Sequence, residues 1–422
     1  VTTKLSHCRP TATVAGTKPM NNSDSATDDD GASLHASGEF YARTINEAEK
    51  QQHANMKVKH SYLSQQFADP EPILDKIREL TKRGDYTLGE AVDRFERAFA
   101  DYVGTKYAVG VNSGTDALAL TLRALDIGQG YEVITTPFTF IATVSAIVQA
   151  GAKPVFVDCK DDLTIDAERI PGAFHPGVTR AIIPVHYTGK MCDVYRIREF
   201  ARLHDISVVE DACQAIGSSL DGRKAGAWGD AGAFSLHPLK NLNVWGDGGM
   251  VATDDEFVRD QLRRLRNHGK MDRDSVANWG FNSRLDTLQA LVGLGQVATI
   301  NHVTYARAVN AAFYNERFSD IPQVRTPVVG VGECHCFHLY MLIVEDRDRL
   351  LTHLRDSGVD AKVHYPIPVH LQVACRDLHH ARGDFPVAER LADSVITLPV
   401  HQHLTSAELG YVADSVRKFY KK

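Results

Sequence analysis

No run in this chain stays apolar for the length that a bilayer-crossing helix needs, and the first residues carry no hydrophobic signal core. Membrane insertion is therefore not expected, and the cytoplasm is the expected setting. Nor is there a block of Lys and Arg. With 47 basic against 53 acidic residues the net charge is −6, which gives no electrostatic footprint for nucleic acid or an acidic lipid surface. The seven cysteines are an odd total without framework spacing, which favours a reducing compartment over a disulfide scaffold. Cys334, His335, Cys336 and His338 hint at a metal, yet residues that alternate along a strand face opposite ways, so no metal is expected. What is present is the composition of an ordinary globular protein, 43% hydrophobic and 24% charged, able to bury a large core and suited to small-metabolite partners.

Residues 1–55 are rich in Thr, Ser, Ala, Asp and Asn, include the acidic run Asp28 to Asp30, and hold no hydrophobic period. They read as a flexible extension, with a fresh start at Met56 (MKVKHSYLSQQF). A helical period follows over 69–84, with Ile73, Leu74, Ile77 and Leu80 on one face, and again from Glu90 to Tyr102 with Val92, Phe95 and Phe99. The chain then alternates. Strands are expected at 106–111, 131–135, 153–157, 179–185 and 206–210, separated by helices near 115–125, 139–150, 166–172 and 193–204. Short apolar strands alternating with helices predict an α/β fold, a mainly parallel sheet sandwiched by helices, whose ligands bind at the carboxyl ends of the strands. A strand at 249–253, a helix through Leu265 and a long helical region from Leu285 to Phe318 come next. The remainder, with a strand at 337–344 and helices at 347–357 and 405–419, reads as a smaller C-terminal α+β domain. The expected division is thus 1–55, 56–320 and 321–422.

The chemistry concentrates in four places. At the end of the first strand, NSGTDAL offers the amides of Gly114, Thr115 and Asp116 at a helix N-terminus, where a phosphate dianion would be stabilised; it is neither a Walker loop nor a GxGxxG turn. Past the strand ISVVE stands Asp211, with Gln214 three residues on. A carboxylate in that apolar setting must find a cation or shift its pKa, and a pyridinium nitrogen is one such cation. FTFIAT offers Phe140 as a flat face, and PVHYTG offers His186 at another strand end. Finally Lys240 sits between a strand, Ala231 to Leu236, and the glycine-rich Gly246 to Gly249. A partly buried lysine near other positive groups loses its proton more readily and becomes competent for Schiff-base chemistry. Each feature has an ordinary alternative: a surface lysine, a capping aspartate, a core phenylalanine, a hydrogen-bonded histidine. Their joint order at strand ends is what favours an anion cradle, a stacking face, a pyridinium partner and a reactive lysine, the set that pyridoxal phosphate requires.

SGTDAL, PVHYTG, EDACQAIGS, FSLHPLKNLNVWGDGG, GFNSRLDTLQA and HYPIPVHLQ, in this order, resemble the DegT/DnrJ/EryC1/StrS family of sugar aminotransferases. The resemblance runs from about Lys57 to the C-terminus. It implies the aspartate aminotransferase fold (fold type I), with a seven-stranded sheet, and pyridoxal 5'-phosphate as cofactor. It implies Lys240 as the Schiff-base lysine, Asp211 as partner of the ring nitrogen, Gln214 beside the 3-hydroxyl, Phe140 as the stacking ring, and Gly114, Thr115 and Ser235 around the phosphate. His186 and Tyr365 would line the substrate pocket. Asn282 would reach the cofactor of a neighbouring subunit across a homodimer interface, the sites being shared. The family's aromatic motif appears here as TPFTF with its proline displaced, so Phe138 stands beside Phe140 as a stacking candidate. A branch with His at the lysine position performs dehydration, and Lys240 favours amination. The implied reaction moves an amino group from glutamate or glutamine to a keto sugar, nucleotide-linked or phosphorylated. The alternatives are a cyclitol ketone as acceptor, a lysine-containing member that eliminates, or a non-catalytic regulatory protein with the same fold.

Overall fold

The computed structural model describes residues 56–421, so the expected extension at 1–55 lies outside the described residues. Seven strands form the central sheet: β1 (Tyr107–Val111), β2 (Glu132–Thr135), β3 (Lys153–Phe156), β4 (Thr179–Ile182), β5 (Ser207–Asp211), β6 (Ala231–Ser235) and β7 (Gly249–Thr253). Their order is β1-β7-β6-β5-β4-β2-β3, with β7 antiparallel to both neighbours and the other pairs parallel. The mainly parallel sheet expected from the alternating pattern is the one observed.

Around it run α1 (Glu71–Arg83), α2 (Glu90–Val103), α3 (Gly114–Ala124), α4 (Ile141–Ala150), α5 (Val194–His204), α6 (Glu256–Leu265) and α7 (Thr287–Val297). Both faces of the sheet are covered because successive side chains of a strand point opposite ways. Val208 of β5 joins a core with Phe95 and Phe99 of α2, Ile197 of α5 and Val292 of α7. Val209 joins another core with Leu118 of α3, Ile147 of α4 and Leu262 of α6. The face of α2 read from Val92, Phe95 and Phe99 is the buried one. Helix α7 comes so close to it that a Cβ on Gly293 would lie 2.5 Å from the Phe95 ring.

The helical region expected from Leu285 to Phe318 is two helices, α7 and α8 (Ile300–Phe318). Between them the Thr299 amide bonds the Gln296 carbonyl at 2.9 Å, and the Thr299 hydroxyl donates to the same oxygen, which tightens and ends the turn. The helix expected at 166–172 shrinks to a 3-10 turn and the single turn Ile170–Ala173, where Pro171 and Gly172 do not sustain a longer run.

A second, antiparallel sheet has the order β8 (Val324–Arg325), β9 (Tyr340–Val344) and β10 (Val395–Leu398). It packs with α8, α9 (Arg347–Asp356) and α10 (Ser406–Tyr420) over a core of Tyr314, Phe318, Tyr340, Leu342, Leu354 and Val412. The strand expected at 337–344 begins only at Tyr340, because Phe337 is left-handed (φ 46°) and the ladder cannot start across it. Val58 belongs to this core and bridges Val359, so the chain near Met56 is tied to its C-terminal part. Among the described residues no helix is long and apolar enough to cross a membrane.

Candidate active site

The parallel strands deliver their carboxyl ends to one edge of the sheet, and a cavity of about 400 Å³ opens there. At the end of β1, Ser113 is extended (φ −158°) and its hydroxyl accepts the Asp116 amide at 3.1 Å. That capping bond removes Asp116 from the three amides expected for an anion. The amides of Gly114 and Thr115, at the first turn of α3, have no acceptor within the helix and line the cavity edge. A Cβ on Gly114 would lie 2.8 Å from the Ser235 Cβ and 2.9 Å from the Cys213 sulfur, so glycine lets the turn sit against the ends of β5 and β6. Ser235 lines the cavity beside it.

Asp211 ends β5 and is 5% exposed. Its Oδ2 accepts the Thr143 hydroxyl at 2.7 Å and its Oδ1 the Cys213 amide at 3.1 Å. Among the described residues no Lys, Arg or His nitrogen forms an ion pair with it, so the carboxylate is hydrogen-bonded yet lacks a counter-cation. Lys240 lines the same cavity, and burial pushes its pKa below the ordinary lysine value although Cys213 and Asp211 pull it back up. Its loop is braced from several sides. The Lys240 carbonyl accepts the Tyr62 hydroxyl at 2.9 Å, Asn241 donates to the Cys336 carbonyl at 3.0 Å, and Gln289 donates to the Trp245 carbonyl at 3.1 Å.

Phe140 is 49% exposed at the cavity, its ring 5.5 Å from that of Tyr365, whereas Phe138 is buried edge-on against Tyr187. Gln214 also lines the cavity, and its Oε1 accepts the Thr188 amide at 2.8 Å. Of the sequence-derived residues, Gly114, Thr115, Phe140, Asp211, Gln214, Ser235, Lys240 and Tyr365 are thus brought together.

Two are not. Asn282 is exposed outside this chain's own cavity, next to Ser283, whose hydroxyl bonds the Asp116 carboxylate. His186 does not line the cavity; it is fully buried on the other side of the sheet end. Alternation along the chain explains this. Val185 and Asp211 bridge and both face the cavity, so the next position on one strand and the preceding one on the other, His186 and Glu210, face away. There they pair at 2.8 Å. Burial alone would lower the His186 pKa, but Cys192 and Glu210 together raise it to about 10. Glu210 also accepts the amides of Gly226, Trp228 and Gly229, holding the loop that feeds β6 toward Lys240. Sequence reading passed over Glu210, although its place one residue before Asp211 on a strand marks it for the opposite face.

It also missed a whole wall of the cavity: His60, Tyr62, Arg307, His338, Lys362 and His364. These come from distant segments and carry no shared local pattern. The Cys334–His338 stretch forms no strand beyond Glu333–Cys334, and His335 stacks on Phe337 at 4.0 Å. Among the described residues no group of three or more His, Cys, Asp or Glu is arranged to hold a metal.

A helix-N-terminal turn that excludes a Cβ, a buried carboxylate that makes no ion pair among the described residues, an exposed flat ring and a lysine of lowered pKa surround one cavity. They fit a flat, phosphorylated, cationic-ring aldehyde. Residues 68–417 match the sequence model of the DegT/DnrJ/EryC1/StrS aminotransferase family. The chain belongs to that family. A dTDP-3-amino-3,4,6-trideoxy-alpha-D-glucose transaminase of Streptomyces venezuelae is 40% identical over 347 residues, 82% of this chain and 91% of its own. A protein of Geobacillus stearothermophilus named as a pleiotropic regulatory protein is 37% identical over 373 residues, 87% of this chain and 99% of its own. The crystal structure of S. venezuelae DesV in complex with a ketimine intermediate superposes with a TM-score of 0.85 at 38% identity, covering 87% of this chain and all of that one. Similar solved chains carry pyridoxal phosphate or its amine form, and the DegT/DnrJ/EryC1/StrS member described here is a pyridoxal-phosphate-dependent aminotransferase.

Proposed function

We propose that this protein moves an amino group from glutamate or glutamine to a keto sugar, nucleotide-linked or phosphorylated, in amino-sugar biosynthesis, with Lys240 and Asp211 as its catalytic residues. The observation that carries the reading is the placement of the Lys240 amine and the cation-free Asp211 carboxylate around one cavity that also receives the Gly114–Thr115 turn. Bound pyridoxal phosphate supplies an electron sink for charge formed at the donor's α-carbon. The Gly114 and Thr115 amides and Ser235 would hold its phosphate, Phe140 would cover its ring, and Gln214 would stand near the ring hydroxyl. Asp211, oriented by Thr143 and the Cys213 amide, would favour a protonated ring nitrogen by its charge. The Lys240 amine, whose proton burial makes easier to lose, would take the proton from the donor's α-carbon and, in the reverse half-reaction, deliver one to the carbon of the acceptor that receives the amino group. Tyr365 faces the acceptor.

The name of the S. venezuelae relative supports a nucleotide-linked sugar as acceptor. A homodimer with shared sites is part of the proposal. Its support is that Asn282 lies outside its own cavity, beside a segment that exposes Met271, Val276 and Trp279, the last at 96%. Large exposed apolar groups of this kind mark interaction surfaces.

The test is the visible absorption of the holoenzyme with glutamate and, separately, glutamine. Loss of the lysine-linked cofactor's band with growth of the amine form is expected with one of them. A band indifferent to both would remove the aminotransfer reading and favour the regulatory one that the G. stearothermophilus relative's name suggests. Keto sugars and cyclitol ketones, offered next to the amine form, separate the two acceptor classes.

A further inference from the structure

Arg307 of α8 is 2% exposed, yet it lines the cavity. Its Nε donates to Gln402 Oε1 at 3.1 Å, and its Nη1 donates to the carbonyls of Phe337 and His338 at 3.1 and 3.3 Å. Its Nη2 is buried and, among the described residues, has no acceptor. Among the described residues no carboxylate pairs with this guanidinium. A buried cation with neither counter-ion nor full hydrogen bonding is costly, and such a group persists where a ligand completes it.

Its surroundings leave it as the standing charge of this wall. Burial pushes the pKa of His60 down to about 3, His364 and His401 to about 4, and His338 well below the ordinary value, so all four are neutral near pH 7. Lys362 is held by Asp360 at 2.5 Å. The guanidinium lies 5.1 Å over the ring of Tyr62, whose hydroxyl reaches the Lys240 carbonyl at 2.9 Å. One phenol ring therefore spans from Arg307 to the backbone of the reactive lysine.

We propose that Arg307, through its free Nη2, binds the α-carboxylate of the amino donor. The proposal rests on the aminotransfer reading above and names its donor-specificity residue. An α-carboxylate is bonded to the carbon whose proton Lys240 moves, so donor and lysine must share this short stretch of cavity. A planar carboxylate suits a guanidinium nitrogen that lacks an acceptor in a residue lining the cavity. Asp211, at the other side, is left for the cofactor ring.

The test compares the donor half-reaction of the holoenzyme on glutamate and on 4-aminobutyrate, which keeps the distal carboxylate and lacks the α one, in wild type and in Arg307→Gln. Wild type should favour glutamate by on the order of 100-fold, and the variant should lose most of that preference, because only the carboxylate-bearing donor loses a partner. Reaction of the amine form with a keto sugar, which brings no α-carboxylate, should fall by at least about 10-fold less in the variant than the reaction with glutamate does. Equal slowing on both donors, a preference that persists, or a loss confined to the sugar half-reaction overturns the proposal. Calorimetric binding of glutarate, which lacks the amine, reads the same contact without turnover in wild type and in the milder Arg307→Lys. Binding that weakens on the order of 10-fold supports the proposal, and undiminished or absent binding in wild type overturns it. Should wild type show no half-reaction with any donor, aminotransfer itself fails, and glutarate still scores Arg307.

Discussion

The cavity has two unlike walls. The sheet side is assembled from strand ends and short motifs: the Gly114–Thr115 turn, Asp211, and the Lys240 loop, each placed by the segment that contains it. The opposite side is assembled from single residues of remote segments, Tyr62, Arg307, His338 and His364, held by the C-terminal core and the chain around Val58. The charges differ as well. Among the described residues, the sheet side carries a buried carboxylate that makes no ion pair, and the far side a buried guanidinium that makes none. The first arrangement suits a cationic ring and the second an anionic substrate group, so binding and chemistry are divided between the walls.

Substitutions test how sharp this division is. Lys240→Ala should lower steady-state amination by about 10⁴-fold or more, since in the proposed function the residue supplies both the covalent anchor and the proton transfer. If the loss stayed within about 100-fold, the histidines of the far wall would be carrying the proton, and the division would be wrong. Asp211→Asn keeps the size and removes the charge. It should cost about 10³-fold in kcat with little change in donor KM, because it acts on the ring and not on the donor's carboxylate. A donor KM that rose instead would put Asp211 on the wrong side of the comparison.

His186→Gln should leave kcat per folded molecule unchanged and cost about 3 kcal/mol of stability near pH 6 in urea unfolding. The sign follows from its raised pKa: the stabilisation is complete below about pH 6.5 and fades as pH rises through about 10, so the variant's deficit should shrink by pH 10. A kcat effect without a stability effect would return His186 to the cavity. Thr143→Val should cost about 1 kcal/mol of transition-state stabilisation, roughly 5-fold in kcat/KM, by freeing one Asp211 oxygen. An unchanged kcat/KM would mean that the Cys213 amide alone orients the carboxylate.

Much of the sheet side was legible in the sequence because its signals are local. A strand ending at Val111 with NSGTDAL behind it becomes a helix N-terminus wherever it folds, and Lys240 between a strand and a glycine run is on irregular backbone regardless of its neighbours. The resemblance to the family added roles that composition and spacing alone did not carry. The errors there came from one-residue geometry. His186 was read as a pocket residue, and the pleat turned it to the face where Glu210 waits; Asp116 was read as an anion donor, and the Ser113 cap claimed its amide. The break between α7 and α8 and the late start of β9 at Tyr340 likewise depend on backbone bonds and dihedrals of single residues.

The sequence by itself thus determined the α/β alternation, the order of the motifs along the chain, and the family to which those motifs belong, all properties of contiguous segments. Only the tertiary structure decided which side of the sheet each strand-end residue faces, that Phe140 and not Phe138 reaches the cavity, and that Arg307 comes within one phenol ring of Lys240. The reason is physical. Periodicity and turn chemistry act over a few residues, whereas the far wall exists only because α8, β9 and the segment around Val58 bury one shared core, and that burial has no local signature.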